Sequence, residues 1–173
     1  MRKREALTLL AFAVFKVLAF TQAGEEEILL RQVSEQGANT AFIQQAGSFN
    51  QAYLLQINNQ AATIRQAGSD NGAFLMLEGS GNNVWAIQEG EGNFYQLKLE
   101  GEDNRLSLSQ KGRNNTVLQE LSGAREAYLI LQQDGDYNRL EQREDGGYGR
   151  TLPVRIKQQG DGLRLIIESI YPN

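Results

Sequence analysis

Glycine recurs at a fixed interval of eleven residues through most of this 173-residue chain. The series comprises Gly68, Gly79, Gly90, Gly101, Gly112 and Gly123, continues at Gly135 after one extra residue and at Gly146, and extends upstream to Gly47 with one residue missing. Asparagine follows three residues later, at Asn50, Asn71, Asn82, Asn93, Asn104 and Asn115, is replaced by Glu126 and returns at Asn138. A fixed period predicts that each copy is one structural unit that buries its apolar face against its neighbours.

Apolar residues occupy every second position between these turns. The pairs are Ala52/Leu54, Ala73/Leu75, Val84/Ala86, Tyr95/Leu97 and Leu106/Leu108. Alternation at period two predicts a strand with one buried face, because on a helix the same residues would scatter around the surface. Gly and Asn tolerate the positive φ angles of tight turns. Each eleven-residue unit is therefore predicted to be one short strand followed by one turn.

A second period of 22 residues groups the strands in pairs. Alternate units close on Gln66, Gln88 and Gln110, whereas the units between them close on Leu77, Leu99 and Leu121. Two strands that form one rung of a flattened coil explain this difference, since equivalent positions then stack about 4.8 Å apart on successive rungs. The predicted fold is all-β: a cross-β β-solenoid of five or six two-strand rungs over residues 34–149.

Stacking also accounts for amide side chains at inward positions. Amides on adjacent rungs can hydrogen-bond in a continuous ladder. The predicted ladder residues are Gln45, Gln56, Gln66, Gln88, Gln110 and Gln133, with Asn50, Asn71, Asn82, Asn93, Asn104, Asn115 and Asn138. A disordered, prion-like tract is the alternative interpretation of such a composition, and the regular interleaved apolar residues argue against it.

The composition restricts the chemistry that the chain can perform. It contains no Cys and no His, which excludes disulfides, thiolate nucleophiles and the commonest general base. The net charge of −4 argues against nucleic-acid binding. Calcium-binding turns at 101–104 and 134–136 and a catalytic carboxylate pair, Glu89 and Glu91, are weaker interpretations than solvated turn charges. We expect no enzyme, no metal and no cofactor.

The first 23 residues are typical of an export signal. Met1 to Arg4 supplies positive charge, Leu7 to Phe20 is largely apolar, and small residues precede a cleavage site before Gly24. An N-terminal amphipathic or membrane-anchoring helix is the alternative, although the apolar run is short for a membrane span. Residues 24–33 form a separate N-terminal segment in this interpretation.

The two ends of the predicted coil differ from its middle. Alternation points six apolar side chains outward in the N-terminal half: Tyr53, Leu55, Phe74, Met76, Trp85 and Ile87. They form either an interface or a surface that Ile28–Val33 covers. Residues 150–173 break the period at Pro153 and end in a final apolar strand, Leu163–Ile170. We interpret them as a divergent end rung that anchors the protein to the cell surface or a partner.

The repeat resembles the curlin repeat of bacterial curli fibre subunits. The pattern Gln45-x-Gly47-x-x-Asn50-x-Ala52-x-x-x-Gln56 matches the family motif at every defined position, and 66–71 and 133–138 match its first half. The resemblance covers residues 34–144. It implies an exported functional amyloid that serves adhesion and biofilm matrix as a fibre on the Gram-negative outer surface. The implied partners are other curlin subunits and the secretion and anchoring components, with a peripheral outer-membrane association.

The spacing of the turns is more similar to the minor, nucleating curlin than to the major subunit. Every connection from Gly68 to Gly146 carries a glycine, whereas in the major subunit only alternate connections do. Leu77, Leu99 and Leu121 depart from the family pattern, and so do the acidic turns, which bears on how freely the chain polymerises. The major subunit and a monomeric β-solenoid surface-binding module remain the alternatives.

Overall fold

Residues that alternate between apolar and polar form short strands, and turns connect these strands. The computed structural model describes residues 14–20, 26–33, 39–144 and 154–169, and no helix occurs among them. The strands are β1 (Val14–Phe20), β2 (Glu26–Val33), β3 (Thr40–Ser48), β4 (Gln51–Ile57), β5 (Ala61–Ser69), β6 (Gly72–Leu77), β7 (Asn83–Glu91), β8 (Phe94–Gln96), β9 (Arg105–Arg113), β10 (Thr116–Leu118), β11 (Tyr128–Asp134), β12 (Arg139–Glu144), β13 (Val154–Gln159) and β14 (Arg164–Ser169).

The strands form two sheets that face each other across the core. The first sheet has the order β2-β3-β5-β7-β9-β11-β13, and the second has the order β1-β4-β6-β8-β10-β12-β14. From β3 onward all neighbours pair in parallel, so the chain alternates between the sheets and completes one rung with every two strands. The predicted all-β solenoid is confirmed, with about 22 residues per turn of the coil.

The interior consists of stacked apolar columns. Each inward residue lies beside its equivalent on the next rung, as Ile43 lies beside Ile64 and Leu54 beside Leu75. These four side chains are fully buried. Without a disulfide, this burial and the hydrogen-bonded rungs are what hold the described coil together.

The turns absorb differences in rung length, and the strand register is preserved. The closing glutamines of successive rungs pair although their separation is 21 residues from Gln45 to Gln66, 22 from Gln66 to Gln88 and 25 from Gln133 to Gln158. A one-residue slip would turn every inward side chain outward, so extra residues are accommodated in the loops instead.

The N-terminal end departs from the parallel pattern. β1 pairs antiparallel with β4, and β2 pairs antiparallel with β3. The suggestion that Ile28–Val33 covers the outer apolar surface is therefore wrong, because these residues extend the sheet at its edge. Of the predicted signal peptide, only 14–20 belongs to the described residues, and its cleavage stays a prediction. Among the described residues, no helix is long and apolar enough to cross a membrane.

The C-terminal segment adds a sixth rung in the common register. β13 pairs in parallel with β11, and β14 pairs in parallel with β12. Neither strand has a described neighbour on its outer side. Leu165 is an inward position by register and is 37% exposed, because no further rung covers it. The break around Pro153 falls in 145–153, outside the described residues.

Candidate functional site

Six buried glutamines form a ladder along the inside of the first sheet. The Nε2 of each donates to the Oε1 of the next, at distances from 2.6 to 2.9 Å. Its members in order are Gln45, Gln66, Gln88, Gln110, Gln133 and Gln158. Every donor points toward the C-terminal end of the coil, so the ladder has a direction. Gln158 is not predicted from the repeat, because its spacing of 25 residues from Gln133 departs from the period.

A ladder of asparagines follows the turn beside it and runs the opposite way. Asn71 Nδ2 donates to Asn50 Oδ1 at 2.9 Å, and Asn71 N donates to the same oxygen at 3.1 Å. Asn71 Nδ2 also donates to Gly90 O at 2.9 Å, which ties one rung to the turn of the next. The column comprises Asn50, Asn71, Asn93, Asn115 and Asn138. It ends where Leu163 N donates to Asn138 Oδ1.

The opposite turn holds a shorter and less regular column. Its members are Asn39, Gln60, Asn82, Asn104 and Ala127. Ala127 N donates to Asn104 Oδ1 at 2.9 Å, so Ala127 takes the place that the sequence analysis gave to Glu126. Glu126 lies in the turn instead, with a φ of 51°. The rung is 23 residues long here, which moves the asparagine position along by one.

The same extra residue changes the glycine column of that turn. A Cβ on Gly101 would meet the carbonyl oxygen of Ala124, so Ala124 and not Gly123 stacks on Gly101. Gly123 is also not among the glycines with a positive φ. Gly123 lies in a turn between β10 and β11, but it does not stack on Gly101. The other predicted turn glycines all have positive φ: Gly47, Gly68, Gly79, Gly90, Gly101, Gly112 and Gly135.

Gln56 lies outside the glutamine ladder with which it was grouped. It belongs to β4 in the second sheet, where Leu77 is its neighbour in register. Its Nε2 donates to Thr40 O at 3.2 Å, and its buried Oε1 accepts from no described residue. Leu77, Leu99 and Leu121 are buried and provide no amide that could continue a ladder from Gln56.

A second polar cluster lies within the C-terminal half of the core. Tyr95 OH donates to Gln119 Oε1 at 2.6 Å, and Gln119 Nε2 donates to Gln142 Oε1 at 3.3 Å. All three side chains are buried. Burial raises the pKa of Tyr95 far above its usual range. The sequence signal for the two glutamines was their place in the alternation, two residues after the inward Val117 and Leu140.

Alkaline conditions are expected to destabilise the protein through Tyr95. Its pKa is raised in the folded state, so its contribution to stability is complete below the unfolded pKa of about 10 and is lost as the pH rises above it. Tyr95→Phe should remove this pH dependence and cost about 1–3 kcal/mol near neutrality, because Gln119 Oε1 loses its donor. Urea unfolding at neutral and alkaline pH measures both. Tyr137→Phe, at an exposed turn, is the control; an unchanged alkaline loss in Tyr95→Phe would contradict this assignment.

The outer surface carries aromatic side chains on both sheets. Tyr53 and Phe74 stack with ring centroids 4.8 Å apart on the second sheet. Trp85 belongs to the first sheet and is 52% exposed. The six outward apolar residues that the sequence groups together are therefore divided between opposite faces.

The acidic turns are engaged in ion pairs. Glu89 pairs with Lys111 at 3.0 Å, and Arg113 donates to Asp136 at 2.7 Å. The hydrogen bonds from Arg113 hold the pKa of Asp136 below its usual value. These pairs are solvent-exposed and contribute little to stability. No group of acidic residues suited to a metal ion occurs in the part of the chain that the structure describes.

The coil and its ladders define a β-solenoid repeat protein, in which each rung contacts only its neighbours. No protein-family model, curated protein or solved structure matches the chain.

Proposed function

We propose that the chain is a self-assembling structural subunit of an extracellular curli-type amyloid fibre, most similar to the minor, nucleating curlin. The observation that carries the proposal is the glutamine ladder, which is buried, continuous and has an amide group without a ladder partner at each end. Gln45 Oε1 is an unpaired acceptor among the described residues, and Gln158 Nε2 has no further glutamine to which it can donate. A ladder with one donor end and one acceptor end suits repeated head-to-tail addition.

Stacking the C-terminal rung of one copy on the first rung of the next brings like residues together. In the common register, Ile156 comes beside Ile43, Gln158 beside Gln45, and Gly160 beside Gly47. Residues 39–57 contain no charged side chain, so this contact introduces no like-charge repulsion. The edge strands gain backbone hydrogen bonds in the same step. We therefore assign the C-terminal rung to stacking instead of to anchoring.

The role includes partners and a location that follow from the resemblance to curlins. The partners are other curlin subunits and the secretion and anchoring components of curli, with peripheral outer-membrane association. The fibre lies outside the cell and serves adhesion and biofilm matrix, without catalysis, metal or cofactor. Whether the chain nucleates fibres or forms their bulk is decided by seeding: a nucleator shortens the lag of a major curlin at a small molar fraction.

A surface-binding module is the second candidate, and the exposed aromatic side chains favour it. Trp85 and the stacked pair Tyr53 and Phe74 present flat apolar surfaces of the kind that bind partners. In that case the chain would act as a monomer, and substitution of Trp85 would abolish binding to the partner while the monomer stays folded.

The chain beginning at Gly24, diluted from denaturant, is expected to form fibres with a meridional reflection at about 4.7–4.8 Å. Thioflavin-T fluorescence follows the kinetics, and fibre diffraction gives the spacing. Fibres should grow faster when preformed fragments are added, because each end repeats the same contact. A monomer that remains soluble for days at micromolar concentration would contradict the fibre proposal and favour the surface-binding module.

A further inference from the structure

The N-terminal end of the glutamine ladder is closed by a strand that does not match it. β2 occupies the edge of β3 in antiparallel orientation, and Ile28 is the register partner of Gln45. On each later rung the register partner of a ladder glutamine is another glutamine. An isoleucine side chain carries no hydrogen-bond donor, and Gln45 Oε1 is buried without a partner among the described residues. A buried acceptor of this kind is costly to the fold.

The opposite end of the molecule offers the donor that is missing. Gln88 Nε2 donates to Gly72 O, Asn93 O and Gln110 Oε1. Gln158 Nε2 has the two corresponding backbone acceptors, Arg139 O and Leu163 O, and lacks the third among the described residues. The end rung thus presents an amide in the orientation that the ladder uses on every rung.

We infer that β2 is a self-blocking strand, which covers the edge of β3 until the C-terminal rung of a second copy replaces it. This inference rests on the proposed function. The incoming β13 pairs in parallel, as every strand after β3 does, and supplies the Gln158 amide to Gln45 Oε1. The exchange replaces a mismatched antiparallel neighbour with one that continues the ladder. β2 then regulates assembly, since the first rung accepts a partner only when β2 has left.

The two ends of a fibre consequently behave differently. A copy that joins at the exposed β13 edge must release its own β2, because its first rung makes the contact. A copy that joins at the opposite end of the fibre makes the contact with its C-terminal rung. Its own first rung, still covered by β2, then forms the new end of the fibre. A copy whose β2 cannot leave therefore adds once, at that end only, and stops growth there.

β1 blocks the first rung in the same way in the full chain, before the predicted signal peptide is removed. It pairs with β4, the other strand of the first rung, so the uncut chain has both edges of this rung occupied. Cleavage before Gly24 would remove β1 and leave β2 as the remaining block. The full 173-residue chain should accordingly assemble more slowly than the chain that begins at Gly24.

A disulfide that locks β2 in place tests the inference, since the native chain has no cysteine to interfere. Leu29 and Gln44 are register partners, and directly opposed residues of antiparallel strands have Cα atoms about 4.5–5.5 Å apart, within disulfide reach. The double variant Leu29→Cys with Gln44→Cys, made in the chain from Gly24, should not elongate wild-type seeds when oxidised. The same protein after reduction is the matched control and should elongate them.

A variant that weakens β2 should act in the opposite direction. Leu30→Pro removes a backbone donor from β2 and lies outside the rungs that β3 to β14 form. If β2 is open in about one molecule in ten, its loss should raise the elongation rate about tenfold. Oxidised double variant, added at a small molar fraction to wild type, should slow growth at one fibre end, which imaging of individual fibres detects.

Equal elongation by the oxidised and reduced double variants, or an unchanged rate in Leu30→Pro, would overturn the inference while wild-type fibres still form. If wild type forms no fibre at all, the proposed function fails and the inference fails with it. The two failures are therefore distinguishable by the wild-type sample alone.

Discussion

Replacing Gln88 with glutamate is expected to destabilise the monomer by about 3–5 kcal/mol at neutral pH and to stop assembly, because it leaves a buried charge without a compensating partner. Gln88 is 1% exposed and donates to Gly72 O, Asn93 O and Gln110 Oε1. A carboxylate donates no hydrogen bond and would face three acceptor oxygens at these positions. The ladder would be cut in the middle of the coil.

Acid should partly rescue this variant. Burial and the neighbouring oxygens raise the pKa of the introduced carboxyl above its unfolded value of about 4.3, so the folded state binds a proton more readily than the unfolded state. The contribution of this carboxyl to stability is then greatest below its unfolded pKa of about 4.3 and is lost as the pH rises above that value. Urea unfolding and Thioflavin-T kinetics, each at neutral pH and below about pH 4, measure the recovery. Recovery is partial, since a protonated carboxyl restores one donor of the amide's two.

Gln96→Glu is the matched control, because Gln96 lies in β8 and its side chain is exposed. The same chemical change at a surface position costs less than about 0.5 kcal/mol. Losses of equal size at the two positions would show that the ladder does not carry the stability that we assign to it.

Most of the strands could be predicted from the sequence, because two signals agree. Period-two alternation distinguishes the inward face, and glycine with asparagine marks each turn. Leu54, Leu75 and Leu108, which the alternation places inside, are buried. The 22-residue rung follows from the difference between glutamine-closed and leucine-closed units. Where local preference and global packing point the same way, a single sequence is informative.

The position of the extra residue could not be predicted, because two turns compete for it. Gly123 continues the eleven-residue series, so the sequence alone places the insertion after it. The structure places Ala124 on Gly101 and Ala127 after Asn104 instead. Register is fixed by the buried side chains of the strand that follows, such as Leu129. The turn adapts to that register, so the sequence of the turn does not indicate where the extra residue lies.

The direction of the ladders and the antiparallel N-terminal strands also lie beyond what a pattern reveals. An amide side chain has a donor and an acceptor, and the sequence does not say which one faces the next rung. Nor does the sequence of β2 indicate whether the strand pairs in parallel or in antiparallel orientation. The ladder direction and the strand orientation both depend on hydrogen bonds between rungs that are far apart in the sequence.

Gly68→Ala is expected to cost more than about 4 kcal/mol, a large value for one methyl group that is explained by backbone overlap. Gly68 has a φ of +114°, and a Cβ there would lie 2.1 Å from the carbonyl oxygen of Gly90. That oxygen also accepts from Asn71 Nδ2, so it cannot retreat without breaking the asparagine ladder. The rungs would have to separate, and urea unfolding of the monomer measures the cost.

Gly160→Ala separates the strain of the φ angle from the effect of stacking. Gly160 has a φ of +116°, nearly that of Gly68, and no atom lies within 4 Å of the position that a Cβ would take. The monomer should therefore lose only about 1–3 kcal/mol, the cost of the backbone conformation. In a stack of copies, however, Gly160 comes beside Gly47 of the next copy, where the same overlap with a carbonyl oxygen returns.

The two alanine variants thus separate folding of the monomer from the head-to-tail contact between copies. Gly160→Ala should remain a folded monomer and fail to elongate wild-type fibres from its C-terminal rung, whereas Gly68→Ala should fail already as a monomer. Circular dichroism and unfolding distinguish the folded states, and seeded Thioflavin-T kinetics measures elongation. Normal elongation by a folded Gly160→Ala protein would show that copies do not meet with glycine stacked on glycine, and would move the contact away from the ends of the coil.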